Sequence, residues 1–164
     1  MSKEIYSFVR VASSCEEVFP YFFSINPLNI FKGIVFFPEA VPDIVKNISA
    51  KTGSERFIYF DDGSTALCRL LHFIPKGCFS FYIDDFISMR FTGVKTVQCS
   101  FSFIDLKYGM TQVNSQYEFK MQSAFWDLFF EVFLRRLIQK RLDMLLIQTS
   151  KELKLFIDWK LTLD

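Results

Sequence analysis

His72 is the single histidine of the chain, and this removes most metal and nucleophile chemistry at once. A catalytic zinc site asks for two or three histidines converging on one ion. A nucleophilic site built on His72 would need a Ser or Cys within hydrogen-bond reach and a carboxylate behind it. Cys68 precedes it by four residues, so on a strand the two share a face, yet they sit about 13 Å apart at ~3.3 Å per residue. There is no Gly-x-Ser-x-Gly elbow, no GxGxxG fingerprint and no Walker loop. The carboxylate pairs Asp61-Asp62 and Asp84-Asp85 read as a hairpin turn and a strand end, positions that seldom converge on Mg²⁺. The sequence therefore predicts no metal, no cofactor and no catalytic set.

One kind of chemistry needs less: acid–base catalysis by one or two polar groups shifted by burial in an apolar pocket. Tyr59, Arg69, His72, Tyr82 and Tyr117 are the polar groups within strand patterns that fit it. Groups of this kind more often complete a core hydrogen bond, so binding is favoured over catalysis.

The elements that would hold such a pocket are legible from glycine. The five later glycines of the chain's six lie in turn contexts: Gly53, Gly63, Gly77, Gly93 and Gly109. Asp-Gly at Asp62-Gly63 is a strong hairpin signal. The gaps hold strands predicted at about 43–51, 55–60, 64–74, 78–86, 94–105 and 110–121. Val97, Cys99, Phe101 and Phe103 alternate with Gln98, Ser100 and Ser102; Val113, Ser115, Tyr117 and Phe119 alternate with Gln112, Asn114, Gln116 and Glu118. Such a sheet has one oily face and one wet face, and its oily face wants one large cover.

Before this meander, 4–11 reads as a strand. Ser14 and Glu17 match a capping box opening a short helix, with Pro20 a turn and a half in. Asn26-Pro27 opens a second short helix and Gly33 closes it. Residues 34–42 read as a loop. After the meander, Ser123 is placed to cap a helix free of Gly and Pro to about 156. Asp127, Glu131, Arg135, Gln139 and Asp143 form a polar stripe, read as solvated. Trp126, Phe130, Phe133, Leu137 and Met144 form an apolar one. Thirty-four residues span about 50 Å, enough to cross the sheet.

Composition is consistent with one domain covering 1–164. Of the residues 51% are apolar, and 22 are phenylalanine. The net charge of +1, with basic and acidic residues interspersed, gives no phosphate-seeking surface and excludes nucleic acid as a partner class. No apolar run reaches the ~18 residues of a membrane span. Met1 to Tyr6 is no signal peptide. Cys15, Cys68, Cys78 and Cys99 lack zinc spacing, so they read as free thiols of a cytoplasmic protein.

This order of elements, with Glu16-Glu17-Val18-Phe19 after a first strand, Thr52-Gly53-Ser54-Glu55-Arg56-Phe57 and Asp61-Asp62-Gly63 in the early sheet, and Val113–Phe119 leading into the helix from Ser123, resembles the START-like (SRPBCC) superfamily. That group includes polyketide cyclases, lipid-transfer domains, ubiquinone-binding proteins and birch-pollen-allergen-like proteins. The resemblance spans about 4–155. It implies an α+β helix-grip fold: a seven-stranded curved antiparallel sheet, two short helices after the first strand, and a long C-terminal helix. It also implies a cavity between sheet and helix for a small hydrophobic molecule such as a lipid, quinone or polyketide. The expected ligand walls are Val97, Cys99, Phe101, Phe103, Val113, Ser115, Tyr117 and Phe119 from the sheet, and Phe130, Phe133 and Leu137 from the helix. The alternative is a cyclase- or hydrolase-like enzyme in the same cavity, working by acid–base catalysis without metal. A second alternative is an interaction module with a filled core. In that case aromatics left over among Phe125, Trp126, Phe129, Phe130 and Phe133, or among Ile30, Phe31, Phe36 and Phe37, would form a patch for transient membrane contact or a homodimer.

Overall fold

The computed structural model describes residues 2–34, 37–42, 51–87 and 93–163. β1 (Ser2–Val11) leads into α1 (Cys15–Phe23) and a 3-10 turn (Pro27–Phe31). Five strands follow: β2 (Glu55–Tyr59), β3 (Thr65–Ile74), β4 (Cys78–Ile87), β5 (Val94–Leu106) and β6 (Met110–Met121). The chain then forms α2 (Ala124–Phe129), a π turn (Phe130–Leu134) and α3 (Arg135–Leu163) in unbroken succession. All strand pairs are antiparallel, in the order β1-β6-β5-β4-β3-β2. The described sheet thus has six strands. The seventh expected strand, 43–51, falls outside the described residues except for Lys51, which lies in a bend; Phe36 also falls outside them.

Turn chemistry is visible where φ is positive. Gly63 (φ 81°) and Gly109 (φ 70°) take the left-handed region that L side chains avoid. In Pro75-Lys76-Gly77 it is Lys76 that does so. Gly93 serves a different need: a Cβ there would come within 2.5 Å of the Trp126 ring. Asp84-Asp85 does not end its strand. Asp85 (φ 51°) sits in a register shift of the β3–β4 ladder, and Asp84 pairs with Arg69 at 3.2 Å. The capping box is also re-wired: Ser14 occupies the N-cap without a side-chain bond, and Glu17 accepts from the Ser13 hydroxyl instead. α1 runs past Pro20 to Phe23, because a proline 5 residues into so short a helix frees only one early carbonyl. Asn26 caps the 3-10 turn by accepting from the Leu28 amide at 3.0 Å, and Ser123 caps α2 by accepting from Trp126 N.

The oily face has three covers rather than one. α1 drives Phe19, Phe22 and Phe23 onto Phe73, Phe79, Phe81, Phe101 and Phe103. The 3-10 turn sets Phe31 on Phe119. The C-terminal helix runs along β1, an edge strand. The stripe read as solvated is what ties it there: Lys3 meets Glu131 at 3.1 Å, Arg135 donates to the Glu4 carbonyl, Gln139 donates to the Tyr6 carbonyl, and Ser7 donates to Asp143. Side chains thereby occupy carbonyls of the open edge, one way of closing it to other strands.

The helix's buried seam is Phe130, Leu134, Ile138, Leu142, Leu146 and Leu153. This corrects the expected apolar stripe: Phe133 and Leu137 are 60% and 46% exposed, and Met144 is exposed as well. The π turn is the physical reason. An i→i+5 turn takes up one extra residue, so everything after it is rotated by about 100° from a pure α-helical count. Positions 133 and 137 therefore hand their places to 134 and 138.

Candidate functional site

Eight of the expected wall residues come from β5 and β6 and meet as four cross-strand pairs: Val97 with Phe119, Cys99 with Tyr117, Phe101 with Ser115, and Phe103 with Val113. All eight are buried on the inner face, as is Phe130. Phe133 and Leu137 are the two that the structure leaves outside. Rings pave this face continuously. Phe79 stacks on Phe101 at 5.0 Å, Phe101 meets Tyr117 edge-on at 6.2 Å, Tyr117 stacks on Phe119 at 6.1 Å, and Phe119 meets Phe130 at 5.2 Å. Offset and edge-to-face pairs of this kind are favourable beyond the area they bury.

Few polar atoms interrupt the paving. Tyr117 donates its hydroxyl to the Pro27 carbonyl at 2.7 Å, pinning the 3-10 turn to the sheet. The Ser115 Oγ is fully enclosed and has no hydrogen-bond partner among the described residues. Arg56, on β2, places its guanidinium over the Phe81 ring at 5.8 Å. The alternation in Arg56, Ile58 and Phe60 was available in the sequence, but a five-residue strand gives too short a pattern to orient.

Burial sets the charge state of the inner face. It pushes the Tyr117 phenol well above its ordinary value and raises the Cys99 thiol, so both stay protonated at neutral pH. All four cysteines are free thiols. The other sequence candidates do not gather here. His72 lies opposite Ser80 on the ladder and Tyr82 opposite Arg69, while Tyr59 is exposed. Asp61 and Asp62 serve the turn, Asp61 accepting from the Glu39 amide and Asp62 from the Ser64 amide.

A curved six-stranded antiparallel sheet holding a long C-terminal helix against its inner face, with a short helix between β1 and the rest, is a helix-grip fold. No family model and no curated protein matches the sequence. Solved structures do match. The Zhui aromatase/cyclase from Streptomyces sp. R1128 superposes with a TM-score of 0.63 at 13% identity, covering 94% of each chain. A polyketide-cyclase-like protein from Corynebacterium glutamicum has a TM-score of 0.55 at 14% identity, covering 96% of this chain and 94% of that one. Norcoclaurine synthase from Thalictrum flavum, solved with dopamine and hydroxybenzaldehyde, has a TM-score of 0.53 at 12% identity, covering 85% and 86%. At these identities the likeness is one of fold. Among the described residues no helix is long and apolar enough to cross a membrane.

Proposed function

We propose that this domain binds a small, largely apolar molecule between the inner sheet face and the C-terminal helix, and carries or senses it rather than transforming it. The observation that supports this reading is the Ser115 hydroxyl, enclosed within an aromatic wall and without a hydrogen-bond partner among the described residues. Leaving such a group unpaired costs about 1–3 kcal/mol. A ligand oxygen or nitrogen would satisfy it while rings of Phe101, Tyr117 and Phe119 take the apolar body, the usual division of labour in a small-molecule site. Lipids, quinones and polyketides have this combination of an apolar body and few polar atoms. Acid–base catalysis is the weaker reading, because a useful catalyst titrates near the working pH, whereas Tyr117 and Cys99 are both pushed upward.

Titration with an anilinonaphthalene sulfonate dye, together with native mass spectrometry of protein from its own host, tests the proposal. Uptake by the wild type and its loss in folded Ser115→Val, which fills the space at the hydroxyl, are the expected results. Phe101→Asp should abolish uptake or unfold the chain. A folded wild type that takes up no dye and carries no co-purifying molecule overturns the reading. It would favour a filled core with an outward interaction surface, for which Phe125, Leu128, Val132 and Phe133 are exposed along the last helix.

A further inference from the structure

The opposite face of the same sheet carries a hollow. Strand register sets Tyr6, Gln116, Ser100, Ser80 and His72 in one row across five strands. The adjacent row is Phe8, Asn114, Ser102, Cys78 and Ile74. In both rows the side chains are small in the centre and large at the ends. Serines and a cysteine make the floor, Tyr6 and Phe8 rise along β1, and His72 and Ile74 rise along β3. The result is an open trough of about 890 Å³, with Thr52 at its margin.

Its lining holds no Asp, Glu, Lys or Arg. An anion would lose hydration there without gaining a counter-charge, and the carboxylate nearest the rim, Glu4, is already engaged by the Tyr6 hydroxyl. A purely apolar one would cover serine, asparagine and glutamine groups without satisfying them. The floor asks for a hydrogen-bonding occupant at one defined point: Ser80 is only 5% exposed, and its Oγ has no partner among the described residues. Buried polar groups are satisfied in the large majority of cases, so an orphan at the bottom of a pocket marks a place where something docks. Neighbouring amides are already oriented. Gln116 donates to the Tyr6 hydroxyl at 3.3 Å, and Asn114 to the Ser102 hydroxyl at 3.5 Å. Tyr6 and Phe8 present exposed rings beside them.

We propose that this outer trough binds a neutral saccharide, either free or as the glycosyl part of a larger molecule. Sugar hydroxyls both donate and accept, matching serine hydroxyls and carboxamides that do the same. The C–H-rich face of a pyranose lies against an aromatic ring, and the absence of charge in the trough matches the absence of charge in the ligand. The trough is separated from the inner site by the thickness of the sheet.

The test is titration of the full chain with maltose, cellobiose and lactose, followed by backbone amide NMR, with uridine as a non-saccharide control. At least one disaccharide should shift amides of β1 and β3–β6 around Ser80, Ser100 and Asn114. Ser80→Ala should weaken that binding about 5- to 10-fold, the equivalent of one lost hydrogen bond, and Phe8→Ala by at least as much. Both positions tolerate truncation, Phe8 because it is exposed and Ser80 because no bond is lost, and the spectrum itself reports the fold. Leu155→Ala, exposed on α3 and outside the trough's lining, should leave saccharide affinity unchanged. No shift with any of the three disaccharides, shifts away from the trough, unchanged affinity in folded Ser80→Ala, or binding of uridine alone would each overturn the assignment.

Discussion

The π turn makes a claim that truncation of neighbouring residues can decide. Helix counting on the sequence places Phe133 and Leu137 against the sheet; the structure places Leu134 and Ile138 there. Leu134 is 2% exposed and Ile138 1%, against 60% for Phe133. Truncating a buried Leu or Ile to Ala removes its transfer free energy and leaves a cavity, a combined loss of about 2–5 kcal/mol. With a urea dependence of about 2 kcal/mol/M for a chain of this size, the unfolding midpoint should fall by about 1–2.5 M in Leu134→Ala and in Ile138→Ala. Phe133 loses mainly its tilted contact with the Phe129 ring, whose centroid is 5.2 Å away. Phe133→Ala should therefore cost under about 1 kcal/mol, and Leu137→Ala a similar amount. Urea titration followed by far-ultraviolet circular dichroism measures all four on one scale. If Phe133→Ala and Leu137→Ala lower the midpoint as much as their neighbours do, the helix passes this point without the extra residue, and the seam assigned here is wrong.

Other substitutions probe other joints. Gly93→Ala pushes a methyl group to within 2.5 Å of the Trp126 ring and should cost about 1–3 kcal/mol by overpacking; an unchanged melting midpoint would show that Trp126 swings away freely. Arg135, and after it Lys3, hold the Glu131 carboxyl down to about 2 from 4.5. A depressed carboxyl stabilises the fold above its unfolded value and loses that contribution as pH falls through its folded one, so the window is about pH 4.5 to 2. The side chain is partly exposed, so the whole effect should stay near 1 kcal/mol or less; Glu131→Gln should flatten the stability profile over that window, and an unaltered profile would dismiss the ion pairs as ornamental. Tyr117→Phe strands the Pro27 carbonyl and should destabilise by about 1–3 kcal/mol, read by the same denaturation assay. Ser115→Ala removes a hydroxyl with no partner among the described residues and should leave the ligand-free protein as stable or more so; a loss above ~1 kcal/mol would mean that the hydroxyl is bonded after all.

The parts of the fold that sequence reading recovers are those where one residue type answers one local demand. In β5 and β6 the strict alternation of apolar and polar residues matches a sheet wet on one side, and Val97, Cys99, Phe101, Phe103, Val113, Tyr117 and Phe119 are all buried. The long helix is legible because nothing from Ala124 onward breaks it. Its rotation is not, since Phe130 to Leu134 contains no residue that announces a π turn. The cover is misread for a similar reason. Phe19, Phe22 and Phe23 stand at helical spacing, but Pro20 argues for a stub, whereas α1 in fact seats three rings on the half of the sheet that α3 does not reach.

The inner wall and the outer trough differ in legibility because they depend on different distances along the chain. Nine of the eleven expected wall residues lie on the inner face, because two adjacent strands and the residue opening the π turn suffice to define it. The trough depends on registers that link Tyr6 to Gln116, Gln116 to Ser100, Ser100 to Ser80, and Ser80 to His72. A slip of one residue in any of the four would turn one strand's contribution to the opposite face. His72 shows the consequence. In the sequence it has no chemical companion, since Cys68 is four residues away along the same strand. Across the ladder it faces Ser80, eight residues on along the chain but only one hydrogen-bonded strand away in space. Chemistry carried along a strand can be read as spacing, but chemistry assembled across strands exists only once the register does.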